Sequence, residues 1–152
     1  MNNFGGKGMR LWHWELIPYL DDQHLLGQWR ECVAIKRKID KYGSPKNYIV
    51  DYVTTYSVED FKKYCGYVIT EMTHRGFKVN PKLVNEIYEF EGKSFHSINK
   101  PSNRVFYLHH NTNYLKICYY NLLEKSYAKP SRELFDMLDE IENYITSKGV
   151  TL

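Results

Sequence analysis

The stretch that decides the reading is Asp22-Gln23-His24-Leu25-Leu26-Gly27-Gln28-Trp29-Arg30-Glu31. Leu25, Trp29, Cys32, Val33 and the aliphatic stem of Lys36 recur at three- and four-residue steps, one face of an amphipathic helix. Gln23 and Arg30 are seven residues apart, as are His24 and Glu31, so each pair lies on nearly the same side, two turns apart. Gly27 falls between them. A mid-helix glycine costs about 1 kcal/mol relative to alanine, and the missing side chain leaves room for a ligand or for another backbone. Taken singly, a Glu, Gln or Arg on a helix is ordinary solvated surface; only the cluster is suggestive.

The pattern around this helix is helical as well. Asp21 or Asp22 caps a first helix running from about Asp22 to Lys41, and Tyr42-Gly43-Ser44-Pro45 stops it. Ser57-Val58-Glu59-Asp60 opens a second helix to about His74, with Phe61, Tyr64, Cys65, Val68, Ile69 and Met72 on one face and Gly76 as a left-handed stop. Asn80-Pro81 begins a short piece to about Tyr88. A third long helix is expected from about Asn111 to Lys125, and a fourth from Arg132 to Ser147 with Leu134, Phe135, Leu138, Ile141 and Ile145 as its apolar stripe. Asn47–Tyr56 has strand propensity. Arg10–Ile17, aromatic and broken by Pro18, reads as a strand-like arm or an irregular segment across the core.

With 152 residues, 43% of them hydrophobic, the chain suits one domain with one core. The net charge of +3 says little by itself. Its distribution says more: Ser131–Leu152 sets two basic residues against five acidic ones, a net of −3, which leaves +6 on the rest. A basic body suits a polyanionic partner. Fourteen tyrosines can pack with their hydroxyls at the surface or stack on bases, and packing is expected for most. Cys32, Cys65 and Cys118 are isolated and read as reduced core thiols of a cytoplasmic protein. No apolar run reaches the roughly 18 residues of a membrane span. His24, His96, His109 and His110 lack metal-ligand spacing, so no metal is expected. Residues 1–8 are polar and glycine-rich, a disordered tail, a flexible arm or a non-native leader. Gly5-Gly6-Lys7 is encoded by GGN-GGN-AAR, one form of which resembles a bacterial ribosome-binding site, and translation is expected to start at Met9.

The run Met9–Glu31 resembles the start of the pyrimidine-dimer DNA glycosylases of the phage endonuclease V type, which carry Asp-Gln-His-Leu-x-x-x-x-Arg-Glu near the N-terminus. Here that block is Asp22–Leu25 followed by Arg30-Glu31. Arg75-Gly76-Phe77 and His110 are supporting matches, and the resemblance spans about Met9 to Lys125. It implies an all-α, single-domain bundle of three long helices, overruling the strand propensity of Asn47–Tyr56. The domain would cover 9–128, with an added C-terminal helix in 129–152 packed on it.

The resemblance further implies a cofactor-free monomer acting on damaged double-stranded DNA, a glycosylase with linked abasic-site lyase activity, with no membrane partner. Its free N-terminal α-amine would form a Schiff base with the sugar C1′. Glu31 matches the essential glutamate; Arg10, Gln23, His24 and Arg30 would contact substrate; and Lys36, Arg37, Lys38 and Lys41 would reach DNA phosphates. In the phage type the initiator methionine is removed to expose a threonine. Here Arg10 stands at that position, which assigns the amine to Met9 instead. Leu11 and Ala34 replace two of the family's arginines. A non-catalytic DNA-binding protein on the same scaffold is the alternative reading, and a helical interaction module with no nucleic-acid role is a third.

Overall fold

A computed structural model describes residues 10–152; the 1–8 leader and the Met9 amine lie outside the described residues. The described chain is all helical: α1 (Asp22–Tyr42), α2 (Val58–His74), α3 (Pro81–Tyr88), α4 (Thr112–Ala128) and α5 (Arg132–Ser147), with two 3₁₀ helices at Trp14–Tyr19 and Asp51–Thr55. α1 packs on α2, α4 on α5, and α3 against both α1 and α2. No helix among the described residues is long and apolar enough to cross a membrane.

The helix ends are set by local chemistry. The Asp21 carboxylate accepts from the His24 N–H, so α1 begins where the sequence places it, and Gly43 closes it at φ 82°, where a side chain would be strained. Ser57, Asn80, Asn111 and Ser131 cap the other four helices in the same manner. Buried stripes of Leu25, Trp29, Cys32, Ile35 and Ile39 on α1 and of Phe61, Tyr64, Cys65, Val68 and Met72 on α2 meet in a common core. All three cysteines are free and buried there.

One local reading holds and one is revised. Asn47–Tyr56 contains a 3₁₀ helix and no strand, as the resemblance implies against its strand propensity. Val50, Val53 and Tyr56 are buried at a spacing of three, one face of a helix with three residues per turn. The Thr55 hydroxyl bonds back to the Tyr52 carbonyl at 2.6 Å, so the β-branched residues serve local turns. On α5, Phe135 is 48% exposed and Met137 is buried in its place, beside Leu134, Leu138, Ile141 and Ile145.

The arm that precedes α1 runs through the middle of the molecule. Leu11, Trp12 and His13 are buried, and the chain then turns into the 3₁₀ helix at Trp14, which accommodates Pro18. Glu15 fastens this segment to the rest. Its side chain, 7% exposed, pairs with Lys148 at 2.8 Å and Arg104 at 3.3 Å and accepts from the Tyr144 hydroxyl. Burial pushes its pKa up, but the hydrogen bonds from Lys148 and Tyr144 outweigh that and hold it at about 2. α5 is thereby tied to the arm as well as to α4. His110 holds the arm from another side: its Nδ1 accepts from the Trp14 N–H at 3.1 Å and its Nε2 meets the Tyr52 hydroxyl at 2.6 Å. Burial lowers the pKa of His110 well below the ordinary value, which keeps the ring neutral.

Candidate active site

A cavity of about 430 Å³ opens between α1 and α4 beside the start of the arm. Arg10 and Trp12 come from the arm, His24, Gly27, Gln28 and Glu31 from α1, and Asn121, Glu124, Lys125 and Ala128 from α4. The α1 set has the spacing 24, 27, 28, 31, one stripe of a 3.6-residue helix. The α4 set, 121, 124, 125, 128, repeats it on the opposite wall.

Glu31 is the chemically distinctive group. It is half-buried, and its Oε2 is buried without a hydrogen-bond partner among the described residues. Burial raises its pKa to about 7, against a smaller lowering by the charges of Lys38 and Arg30. A carboxyl poised near neutrality can both give and take a proton at physiological pH. Gly27 keeps the space in front of it open: a Cβ there would meet only the Arg30 guanidinium, at 3.7 Å. His24 is oriented by Asp21, whose Oδ1 lies 2.8 Å from Nδ1, and its ring meets Trp12 edge-on at 6.2 Å between centroids.

Arg10, His24 and Glu31 thus share the cavity wall. Gln23 and Arg30 line an adjoining groove with Lys129 and Ser131, and His24, Lys125 and Ala128 border both spaces. The four cations Lys36, Arg37, Lys38 and Lys41 divide. Lys36 is buried, its ammonium 3.3 Å from Asp40, 3.6 Å from Glu86 and 5.4 Å over the Phe90 ring. Arg37 makes a bidentate pair with Glu86 at 3.1 and 2.9 Å. Both therefore face α3, where carboxylates already answer them. Lys41 lies over the Tyr42 ring. Lys38 is exposed and acts on Glu31. Among the described residues no group of three His, Cys, Asp or Glu side chains converges to hold a metal.

Sequence reasoning missed Lys125, Lys129, Asn121 and Glu124. Asn121, Glu124 and Lys125 stand at steps of three and four on one face of α4, with Lys129 just past its end, yet nothing local says that this face looks across at Glu31. It also missed Gln28 as a buried residue.

The family model for pyrimidine dimer DNA glycosylase matches residues 9–85, from the arm through α2 and into α3. The chain belongs to the pyrimidine dimer DNA glycosylase family. No curated protein and no solved structure matches it. The glycosylase-family match includes the arm and the α1 wall, with Arg10, His24, Gly27 and Glu31. The α4 wall and the whole of α5 lie beyond it.

Proposed function

We propose that the protein is a DNA glycosylase with linked abasic-site lyase activity, acting on pyrimidine dimers or a related lesion through the α-amine of Met9. The observation that carries this reading is Glu31: a half-buried carboxyl with a pKa of about 7, whose Oε2 has no hydrogen-bond partner among the described residues, lining the same cavity as Arg10, the residue next to Met9. An α-amine has a pKa near 8, so a useful fraction is uncharged at neutral pH.

The amine nitrogen attacks C1′ and the bond from C1′ to the base breaks, the base leaving with the electron pair. The nitrogen gives up one proton, which goes to the departing base, and its lone pair then opens the sugar ring, O4′ taking a proton from water, to leave a protonated imine that still carries one N–H. Glu31 then takes a proton from C2′, and the electrons of that C–H bond expel the 3′-phosphate. The positive iminium favours the ionised form of a carboxyl already poised near 7, so Glu31 is a base when the elimination needs one. Arg30, Lys125 and Lys129 line the cavity or its adjoining groove, Lys38 is near enough for its charge to act on Glu31, and these four supply the phosphate contacts. Lys36 and Arg37 are left to structure.

The test uses protein beginning at Met9, its start verified by intact mass, on abasic and ultraviolet-damaged duplexes, with borohydride to trap an imine. Wild type should give a covalent adduct and strand cleavage, and Glu31→Gln should lose about 10²–10⁴ in cleavage rate. Equal cleavage by both removes Glu31 from the chemistry. Binding by both with no adduct from either favours the non-catalytic DNA-binding protein.

A further inference from the structure

Three polar side chains, one from each of three helices, bond the backbone of residues 10–12, ahead of the His13 and Trp14 amides that donate to Cys118 Sγ and His110 Nδ1. Gln28 of α1, 2% exposed, donates through Nε2 to the Arg10 carbonyl at 3.0 Å and accepts at Oε1 from the Trp12 N–H at 2.6 Å. The Tyr64 hydroxyl of α2, fully buried, lies 2.6 Å from the Trp12 carbonyl and 2.8 Å from Gln28 Oε1 and shares its proton between them. The Tyr114 hydroxyl of α4 donates to the Leu11 carbonyl at 2.7 Å. All three arm carbonyls and the Trp12 amide are answered by side chains.

Buried side-chain networks are costly unless every member is satisfied. Here the network is satisfied, and its bonds fall on the three residues that follow Met9. Gln28 also lines the cavity, one residue from Gly27 and three from Glu31. The same side chain therefore fixes the arm and borders the space in front of the carboxyl.

We propose that Gln28, Tyr64 and Tyr114 are positioning residues that set where the Met9 α-amine stands relative to Glu31. The proposal rests on the amine chemistry above. None of the three touches the reacting atoms; each acts by holding the backbone of residues 10–12. Removing one bond lets the arm shift without emptying the cavity of its charged groups. A displacement of about 1 Å from the attacking geometry costs on the order of 100-fold in rate.

The experiment compares wild type, Tyr64→Phe, Gln28→Met and Tyr114→Phe, each beginning at Met9. Tyr→Phe removes only a hydroxyl, and Gln→Met keeps length and volume, so folded variants are checked by circular dichroism and thermal melting. Two quantities are read on each. The first is the single-turnover rate of borohydride-trappable adduct on an abasic duplex. The second is the Kd for the same duplex carrying an unreactive tetrahydrofuran abasic analogue.

Positioning predicts that the adduct rate falls by about 10–100-fold in all three variants, while the Kd stays at its wild-type value in Tyr64→Phe and Tyr114→Phe, whose side chains do not line the cavity. A rate that falls only in step with Kd and melting temperature assigns these residues to the fold alone and overturns the proposal. A wild-type adduct rate retained by all three variants overturns it while leaving the amine chemistry standing. No adduct from wild type overturns both.

Discussion

Glu31→Gln should stabilise the protein even as it removes activity, and the effect should depend on pH. Glu31 has a folded pKa of about 7 against an ordinary value of 4.5, because burial penalises its charged form. The sign follows from proton binding. Between pH 4.5 and 7 the folded protein keeps the proton and the unfolded chain has lost it, so rising pH removes stability. Below 4.5 both states are protonated and the penalty is absent; above 7 it is fully present. Because Glu31 is half-exposed, solvent screens part of the cost, leaving about 1 kcal/mol at pH 8. Glutamine keeps the shape and never ionises. Urea unfolding of wild type and Glu31→Gln at pH 4 and pH 8 measures the difference, and contributions from His13 and Glu15 cancel because both proteins carry them. The midpoints should nearly coincide at pH 4, with the variant ahead at pH 8. A variant equally stable or less stable at pH 8 would mean that the carboxylate has a compensating partner and that its pKa is not raised.

Gly27→Ala should raise stability by about 1 kcal/mol through helix propensity, since its Cβ meets only Arg30 at 3.7 Å; strand cleavage should fall because the methyl enters the cavity, and a melting temperature below wild type would refute this account of the glycine. Lys38→Ala and Lys125→Ala should each reduce the slope of log affinity against log salt by about 0.9. Lys36→Met, which removes a charge already answered by Asp40 and Glu86, should leave that slope unchanged in a salt titration of duplex binding; a smaller slope for Lys36→Met and none for Lys38→Ala would place the DNA on the other face of α1.

Local chemistry made most of the fold legible. The caps at Asp21, Ser57, Asn80 and Ser131 and the left-handed glycines at 43 and 76 are short-range devices, and they fix helix ends in the sequence as they do in the molecule. Where two apolar residues compete for one stripe, as Phe135 and Met137 do on α5, the pattern alone does not choose; tertiary packing does, and it buries Met137. The strand propensity of Asn47–Tyr56 failed for a similar reason. β-branched residues favour a sheet only when a neighbouring strand exists to pair with, and the described residues offer none. The α1 half of the cavity could be read because it lies on one helix, where spacing fixes the face. The α4 half could not, because it depends on how two helices meet whose facing residues are 97 positions apart in sequence. Lys36 and Gln28 mislead in the same direction: a lysine among cations reads as a free phosphate ligand, and a lone glutamine reads as surface, yet both are buried against partners from distant parts of the chain.

α1 shows why the cavity lies where it does. Within five consecutive residues it carries a mid-helix glycine, a buried glutamine and a carboxyl whose ionisation burial opposes. Each is an unlikely choice for a packed helix: glycine for its flexibility, the carboxyl for the cost of a half-buried charge, and the glutamine because its amide is tolerated only through bonds to the arm and to Tyr64. None is needed to form α1, which is capped by Asp21, closed by Gly43 and packed through Leu25, Trp29, Cys32, Ile35 and Ile39. Helices that break several local rules at one place usually do so at a functional site. The three departures do different things: Gly27 opens the space, Glu31 supplies a proton acceptor facing it, and Gln28 ties the incoming arm to its edge. Alanine, leucine and glutamine at these positions would give a more stable helix and would remove the opening, the hold on the arm and the base.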